Sequence, residues 1–360
     1  MTRLFIFIVS IILLTGCVQK SILDDIQMVT IIGYDLPEKE SEEGLIKGIA
    51  VAPQYQADGK IDNSVFVQTA ALSKEIRSQY NSESPKPFVS GKLEVALFSK
   101  DIAETEGIIE LVDTLQRDPS IGSRVFLGIS SSDMETLLRT NYGNVDTGAF
   151  IHDTLAHNSK HGMLPETNLH DFLYNYYSEG YDPFLPLVEL DEDKVKIIGL
   201  ALFQGDRMVD SIDAKHLFTF KVLHQKFSSN DSFTVKMNEE EHAAIYNIAS
   251  KRNLNLKKVG SNKIEIHGEV LGVIKEYSGQ KLTSAKLKEI EVAMEEDIEK
   301  RGMEMIEEFQ TQNIDPLGLG NAVRSVTRGD FNKEDWRQRY PDMDITFQMN
   351  VTVTESGVIE

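Results

Sequence analysis

One sulfur atom carries the most specific chemistry in the chain. Cys17 is the only cysteine among 360 residues. It closes Leu14-Thr15-Gly16-Cys17, after an apolar run from Leu4 to Leu14 that is broken only by Ser10 and preceded by a single charge, Arg3. A basic start, a short apolar stretch and small residues before a cut site are the features of a secretory signal peptide. The run is about eleven residues long, against the roughly twenty that a spanning helix needs. Leu-Thr-Gly-Cys has the form of a bacterial lipobox. In such a site the thiol takes a diacylglycerol, cleavage falls before the cysteine, and the freed amino group can be acylated. Thr15 and Gly16 are small enough to let a peptidase reach the backbone, and Leu14 fills an apolar subsite. A plain signal peptide, or a buried apolar helix with an incidental cysteine, is the competing reading. The sole cysteine standing where a lipobox needs it favours lipidation. Two or three acyl chains, at about 0.8 kcal/mol per buried CH₂, anchor a protein stably where one does not.

The other candidates for chemistry are weaker. Histidines gather at His152, His157, His161 and His170. His157 and His161 are four apart and could share a metal on one helix face, but Gly162 and Pro165 end that helix and no acid joins at ligand spacing. Ser130-Ser131-Ser132 lacks the glycines of a nucleophile elbow; N-capping by Ser132 or Asp133 is the simpler role. No phosphate loop or dinucleotide fingerprint is present, and Gly318-Leu319-Gly320 follows a helix rather than a strand. Glu239-Glu240-Glu241 and Glu295-Glu296-Asp297 read as solvated faces. Trp336, the one tryptophan, reads as a core or interface anchor. No catalytic, cofactor-binding or metal-ligating residue is therefore assigned, and a binding or assembly subunit is expected.

Cleavage before Cys17 removes 16 residues, among them one positive charge, and takes the formal charge from −20 to −21. So acidic a surface disfavours nucleic acid and is repelled by anionic headgroups. With one cysteine, no intramolecular disulfide forms. The remaining chain is long enough for two or three packed domains.

The elements expected around these residues follow from periodicity. After the signal peptide, 1–16, and a tether, 17–25, strands are expected at 26–34, 45–51 and 65–72, with an acidic turn at 38–44 and a helix at 73–80. Asn81 to Pro87 reads as a boundary. Then comes a βαβ unit: strand 93–98, one helix 101–115, strand 124–129. Helices are expected near 133–138, 147–158 and 168–178. Strands follow at 187–190, 195–203 and 207–212, the last two joined by the hairpin turn Gln204-Gly205-Asp206. That hairpin could return to the N-terminal strands, which suggests a discontinuous first domain, 26–85 plus 186–212, around a second α/β domain, 86–185. In the last domain, 213–360, a short helix precedes strands at 232–237, 242–259 and 263–275, the third bulged or broken. Leu287, Ile290, Met294, Ile298, Met305 and Phe309 recur on one side of a long helix, 283–312. Met343 to Val353 alternates strictly, as a strand half-buried against that helix would. The expected class is mixed α/β (α+β) in three domains, each a mixed sheet with packed helices, the last pairing the long helix with antiparallel strands.

Taken together, several stretches resemble the Ger(x)C family, lipoprotein C-subunits of spore-germination nutrient receptors. They are the lipobox at Cys17, Val29 to Asp35, Arg117-Asp118-Pro119, Leu185-Pro186-Leu187, Ile198 to Phe203, Gly205-Asp206-Arg207, Gln310, Asp315 to Gly320, Trp336 and the terminal strand ending near Gly357. The resemblance implies a three-domain mixed α/β protein without enzymatic activity, on the outer face of the spore inner membrane. It implies two integral-membrane partners, one transporter-like and one with a soluble domain plus membrane helices, in a complex that answers amino acids, sugars or nucleosides. It supplies no ligand residues. The alternatives are a solute-binding lipoprotein of a transporter, which the dissimilar halves of the chain disfavour, and an extracellular hydrolase, which the missing catalytic constellation disfavours.

Cys17→Ala is predicted to abolish lipid attachment. Mass spectrometry of the protein from membranes should find a diacylglycerol thioether on the wild type and none on the variant.

Overall fold

In the computed structural model, residues 25–38, 44–230, 232–256, 262–327 and 331–355 are described. The expected signal peptide, Cys17, nearly all of the expected tether, most of the expected acidic turn, and Gly357 lie outside the described residues.

The first body is an eight-stranded sheet ordered β10-β9-β8-β7-β6-β2-β3-β4. Its centre is β2 (Ile31–Asp35), β6 (Val95–Ser99), β7 (Phe126–Ser130) and β8 (Phe184–Asp191), all parallel. Antiparallel strands extend both sides: β3 (Ile46–Tyr55) and β4 (Ile61–Ala70) beyond β2, β9 (Lys194–Gln204) and β10 (Arg207–Asp213) beyond β8. All five residues of β6 are buried, as a parallel strand covered on both faces requires. One face carries α1 (Ser73–Glu83), α2 (Lys100–Thr105), α3 (Ile109–Gln116) and α6 (Leu169–Tyr177), whose Ile76, Ile102, Val112 and Phe172 meet Tyr34, Phe98 and Ile129. The other carries α4 (Met134–Arg139) and α5 (Thr147–Lys160), whose Leu137 and Leu155 meet Ile31, Val95 and Leu97.

Three expectations change here. The strand expected at 26–34 is two: β1 (Gln27–Met28) pairs with β5 (Phe88–Val89) in a separate two-stranded sheet, and β2 begins after Thr30. Thr30 interrupts it because its carbonyl accepts from Glu94 and Val95 N–H groups and its hydroxyl donates to Asp146 over 2.7 Å. The single helix expected at 101–115 breaks between α2 and α3. Gly107 there holds φ +80, and a side chain on it would run into the Asp206 carboxylate; Ile108 N–H then donates to Asp206 O at 3.1 Å. The strands expected in two domains, 26–85 with 186–212 and 86–185, hydrogen-bond into one sheet. The β9–β10 hairpin does not return to the N-terminal strands, because β8, β7 and β6 stand between.

The second body follows α7 (Leu217–His224). Its sheet runs β11 (Phe227–Ser229), β13 (His242–Asn255), β14 (Lys263–Tyr277), β15 (Asp344–Glu355), with β12 (Phe233–Lys236) also on β13. The long β13–β14 hairpin takes one extra residue on each strand, at 275 and between Tyr246 and Ala249. The helix α8 (Ser284–Thr311) matches expectation, burying Ile290, Met294, Ile298, Met305 and Phe309. It is about 42 Å long at about 1.5 Å per residue. The terminal strand buries Ile345, Phe347, Met349, Val351 and Val353 beneath it. The expectation of an antiparallel terminal strand is corrected: β15 lies parallel to β14, Lys263 against Asp344 through Ile274 against Glu355. The excursion through α8, α9 (Leu319–Val326) and α10 (Lys333–Arg339) carries the chain back to the same end, as a parallel partner requires.

As the edge of its sheet, β15 would leave a row of N–H groups open to pairing with another chain. Carboxylates from α8 close that row. Glu299 accepts from Met349 N–H at 2.7 Å, Glu295 from Val351 N–H at 2.9 Å and Glu291 from Val353 N–H at 2.9 Å. Four residues of helix rise about 6.0 Å and two residues of strand about 6.6 Å, so the registers match over this length. Glu295 is thus a capping residue rather than part of a solvated face, whereas Glu296 beside it is exposed. Glu295→Ala should cost about 1 kcal/mol while Glu296→Ala leaves stability unchanged, as read from urea midpoints.

Candidate functional site

Part of the family resemblance, Gly205-Asp206, Asp315 to Gly320 and Trp336, lies where the two bodies meet. From the first come the loop Gly180 to Pro183, between α6 and β8, and the Gln204-Gly205-Asp206 turn. From the second come Asn313 to Gly320, between α8 and α9, with Trp336 and Arg337 of α10 and Arg252 of β13. Two aspartates organise the contact, Asp182 at 4% exposure and Asp315 at 2%. Their backbones meet through Asp182 N–H donating to Asp315 O at 3.0 Å. The Asp182 carboxylate accepts from Asp315 N–H at 2.9 Å, from Gly205 N–H at 3.2 Å and from Arg337 Nη2 at 3.0 Å. The Asp315 carboxylate turns the other way and accepts from Leu319 N–H at 3.0 Å and Gly320 N–H at 2.7 Å. It thereby satisfies the first turn of α9, whose N–H groups have no partner within the helix.

The glycines of this loop answer to space and to backbone angle. Gly318 starts α9 with φ +65, a region open to glycine at little cost. Gly320 and Gly180 lie backbone against backbone, and a side chain on either would overlap the other. Asn321 N–H donates to Gly180 O at 2.9 Å, and the Trp336 indole lies over Gly320. Trp336 is buried against Phe331 and Tyr340, as an anchor should be. Gln204 Nε2 donates to Asn313 O at 3.3 Å, and Gln310 Nε2 donates to Tyr340 O at 2.8 Å and Met343 O at 2.9 Å, turning the chain into β15. A second fastener stands apart: buried Lys221 of α7 donates to Ser159 O at 3.0 Å, in the last turn of α5, and to Gly162 O at 2.9 Å, just past its end. A cation suits that end of a helix.

Burial sets the electrostatics. Arg252 donates to His224 O at 2.8 Å and Leu317 O at 3.2 Å; burial pulls its guanidinium below the ordinary value, with Tyr181 and Asp315 acting against it. Burial, helped by Arg252, lowers His224 to about 3, so the imidazole is neutral. Burial lifts the Asp315 carboxyl to about 7, although its two backbone N–H bonds pull the other way.

The other candidates serve local structure. Asp133, not Ser132, caps α4, accepting from Thr136 N–H at 2.7 Å; Ser132 accepts from Leu190 N–H at 2.9 Å instead. His157 and His161 end α5 with rings 5.5 Å apart, while His152 sits beside Asp153 and His170 opens α6. Among the described residues no three His, Cys, Asp or Glu side chains gather closely enough to hold a metal ion. The buried partnership of Asp182 with Asp315 was missed from sequence. A tyrosine-flanked Asp-Pro at 182–183 and an Asp-Pro at 315–316 were the visible signal, but nothing local joins residues 133 apart.

The folded Asp315 carboxyl keeps its proton up to about pH 7, whereas in the unfolded chain it releases it near 3.8. The fold therefore binds more protons across that window, and this group's contribution to stability declines as pH rises through it. Between pH 4 and 7 the loss is at most ~4 kcal/mol. Urea titrations should show Asp315→Asn gaining on the wild type as pH rises from 4 to 7.

Comparison with known proteins places this architecture. The model of the spore germination protein N-terminal domain matches residues 19–190. The model described as spore germination B3/GerAC like, C-terminal, matches residues 198–357. The second segment thus supplies most of β9 and all of β10 to the sheet of the first. The chain is 29% identical to the spore germination protein GerQC of Bacillus cereus, with 100% of both chains covered. It is 21% identical to YfkR of Bacillus subtilis (strain 168), over 97% of this chain and 94% of that one. The crystal structure of the GerBC protein superposes with a TM-score of 0.56 at 14% identity, covering 94% of this chain and 99% of that one; at that identity the likeness is one of fold. With both halves matched in order and joined by residues that carry part of the resemblance, the chain belongs to the Ger(x)C family of spore germination proteins.

Proposed function

We propose that the chain is a non-enzymatic subunit of a germinant receptor, tethered through a lipid on Cys17 to the outer face of the spore inner membrane. Two integral-membrane proteins, one transporter-like and one with a soluble domain plus membrane helices, are its partners. The observation that carries this reading is the family match to both segments, 19–190 and 198–357. The use of the shared motifs supports it. Asp182, Gly205, Asp315, Gly320 and Trp336 lock two bodies together instead of lining a reaction centre. Such a molecule acts by holding one surface rigidly against another. No helix among the described residues is long and apolar enough to cross a membrane, so attachment through Cys17 is the means of anchoring that the sequence offers.

Deleting the gene should remove the spore response to one nutrient and spare the others; restoring the wild-type gene should return it, and a Cys17→Ala copy should return less. A tagged chain purified from spore membranes should bring two integral-membrane proteins with it. Recovery of the chain alone, with every nutrient response intact in the deletion strain, defeats the reading.

A further inference from the structure

Away from the junction, a cavity of about 400 Å³ opens between the first sheet and α1. Its floor is sheet, from Ile32, Tyr34 and Ala50. Its walls are apolar: Tyr80 stacks on Phe88 with centroids 5.2 Å apart, and Leu93 and Leu115 complete them. Lys74, Arg77 and the Arg117-Asp118-Pro119 turn form its rim. The size falls within the range of small-molecule sites, which are mostly apolar with a few polar groups placed to orient the ligand.

Two features point to what fits. The Tyr34 hydroxyl, at 2% exposure for its residue, has no hydrogen-bond partner among the described residues. Buried hydroxyls ordinarily find partners, because leaving one unpaired costs free energy. The second feature is charge. In a chain of formal charge −20, this rim carries Lys74, Arg77 and Arg117. Asp118 is its one carboxylate and is already held by Arg77 and by Ser120. Arg117 is paired with Asp113. Lys74 has no partner among the described residues, and Arg77 spends one of its N–H groups on Asp118, with four left to donate.

We propose that this cavity binds a small amphipathic carboxylate. Its anionic head rests on Lys74 and Arg77, a ring-bearing apolar body lies along Ile32, Phe88 and Leu93, and a polar atom at the far end bonds the Tyr34 hydroxyl. At about 30 Å³ per water-sized group, the space takes about a dozen non-hydrogen atoms. A cation would meet a rim of its own sign. A plain acyl chain would leave the Tyr34 hydroxyl unpaired. The inference does not rest on the subunit reading, since binding is measured on the chain alone and the spore test can fail while it holds.

The probe is 3-(4-hydroxyphenyl)propionate, titrated calorimetrically into the full chain in detergent micelles, beside 3-phenylpropionate and the neutral amide of the first. One molecule should bind per chain. Removing the ring hydroxyl or neutralising the carboxylate should each weaken binding about tenfold. Arg77→Gln should weaken both carboxylates and spare the amide. Tyr34→Phe should erase the preference for the hydroxylated ring, and without ligand it should melt no lower than the wild type. Equal binding of all three probes, heats no larger than those of empty micelles, or a Tyr34→Phe chain that melts lower without ligand would each overturn the proposal.

Discussion

Two buried aspartates hold the molecule in one piece. Asp182 and Asp315 belong to different bodies, and each is removed from water. A buried carboxylate is costly unless it is hydrogen-bonded on several sides. Asp182 meets that demand with two backbone N–H groups and Arg337; Asp315 meets it with the opening turn of α9. The Asp182 set is complete only when both bodies are folded and docked, whereas the Asp315 set lies within the second body. The junction is therefore selective for one arrangement: a sliding or rotated interface would strand a charge. It also works through short backbone approaches, with Gly180 against Gly320 and the Trp336 indole closing the gap. This makes the contact stiff and holds the two bodies in one relative arrangement.

The sheets are managed in two different ways. In the first body the parallel strands are central, sealed by helices on both faces, and the antiparallel hairpins take the outer positions. That layout places the most apolar sequence, such as Val95 to Phe98, where no edge is exposed. In the second body the parallel partner β15 is itself an edge. Covering it with a helix alone would leave its outward N–H groups unsatisfied. Glu291, Glu295 and Glu299 serve as substitute acceptors, a ladder supplied by side chains in place of another strand. The acidity of α8 thus has a structural use besides solubility. An uncapped edge would invite pairing between neighbouring copies.

At the junction the carboxylates of Asp182 and Asp315 are fully engaged, while Trp336 Nε1, Tyr340 Oη and Arg252 Nε are buried without a hydrogen-bond partner among the described residues. In the cavity under α1 the Tyr34 hydroxyl lies open beside a cationic rim. The same first sheet thus serves two ends. Its β8–β10 side is committed to the second body, and its β2–β3 side, beneath α1, is free of it.

The sequence by itself determined what depends on neighbours in the chain. The helical period of Leu287 to Phe309 and the strict alternation of Met343 to Val353 fixed α8 and β15 as elements with an apolar face. Both signals persist over many turns or residues, so no tertiary context could overrule them. Leu14-Thr15-Gly16-Cys17 is local in the same way, four adjacent residues with the form of a lipobox. Tertiary structure decided the rest. The break at Gly107 exists because Asp206 approaches from another strand. The parallel direction of β15 depends on where α8 to α10 return the chain, and a strand's own side-chain pattern is identical in either direction. Strands at 31–35, 95–99 and 184–191 join one sheet through backbone bonds that carry no mark of their partner. Glu295 and Glu296 look alike in sequence, yet one reaches a strand edge and the other reaches water, because a turn of helix faces both ways. The Asp182–Asp315 contact and the cavity at Tyr80 are of this kind as well: each is made by residues far apart in sequence, and only packing brings them within bonding distance.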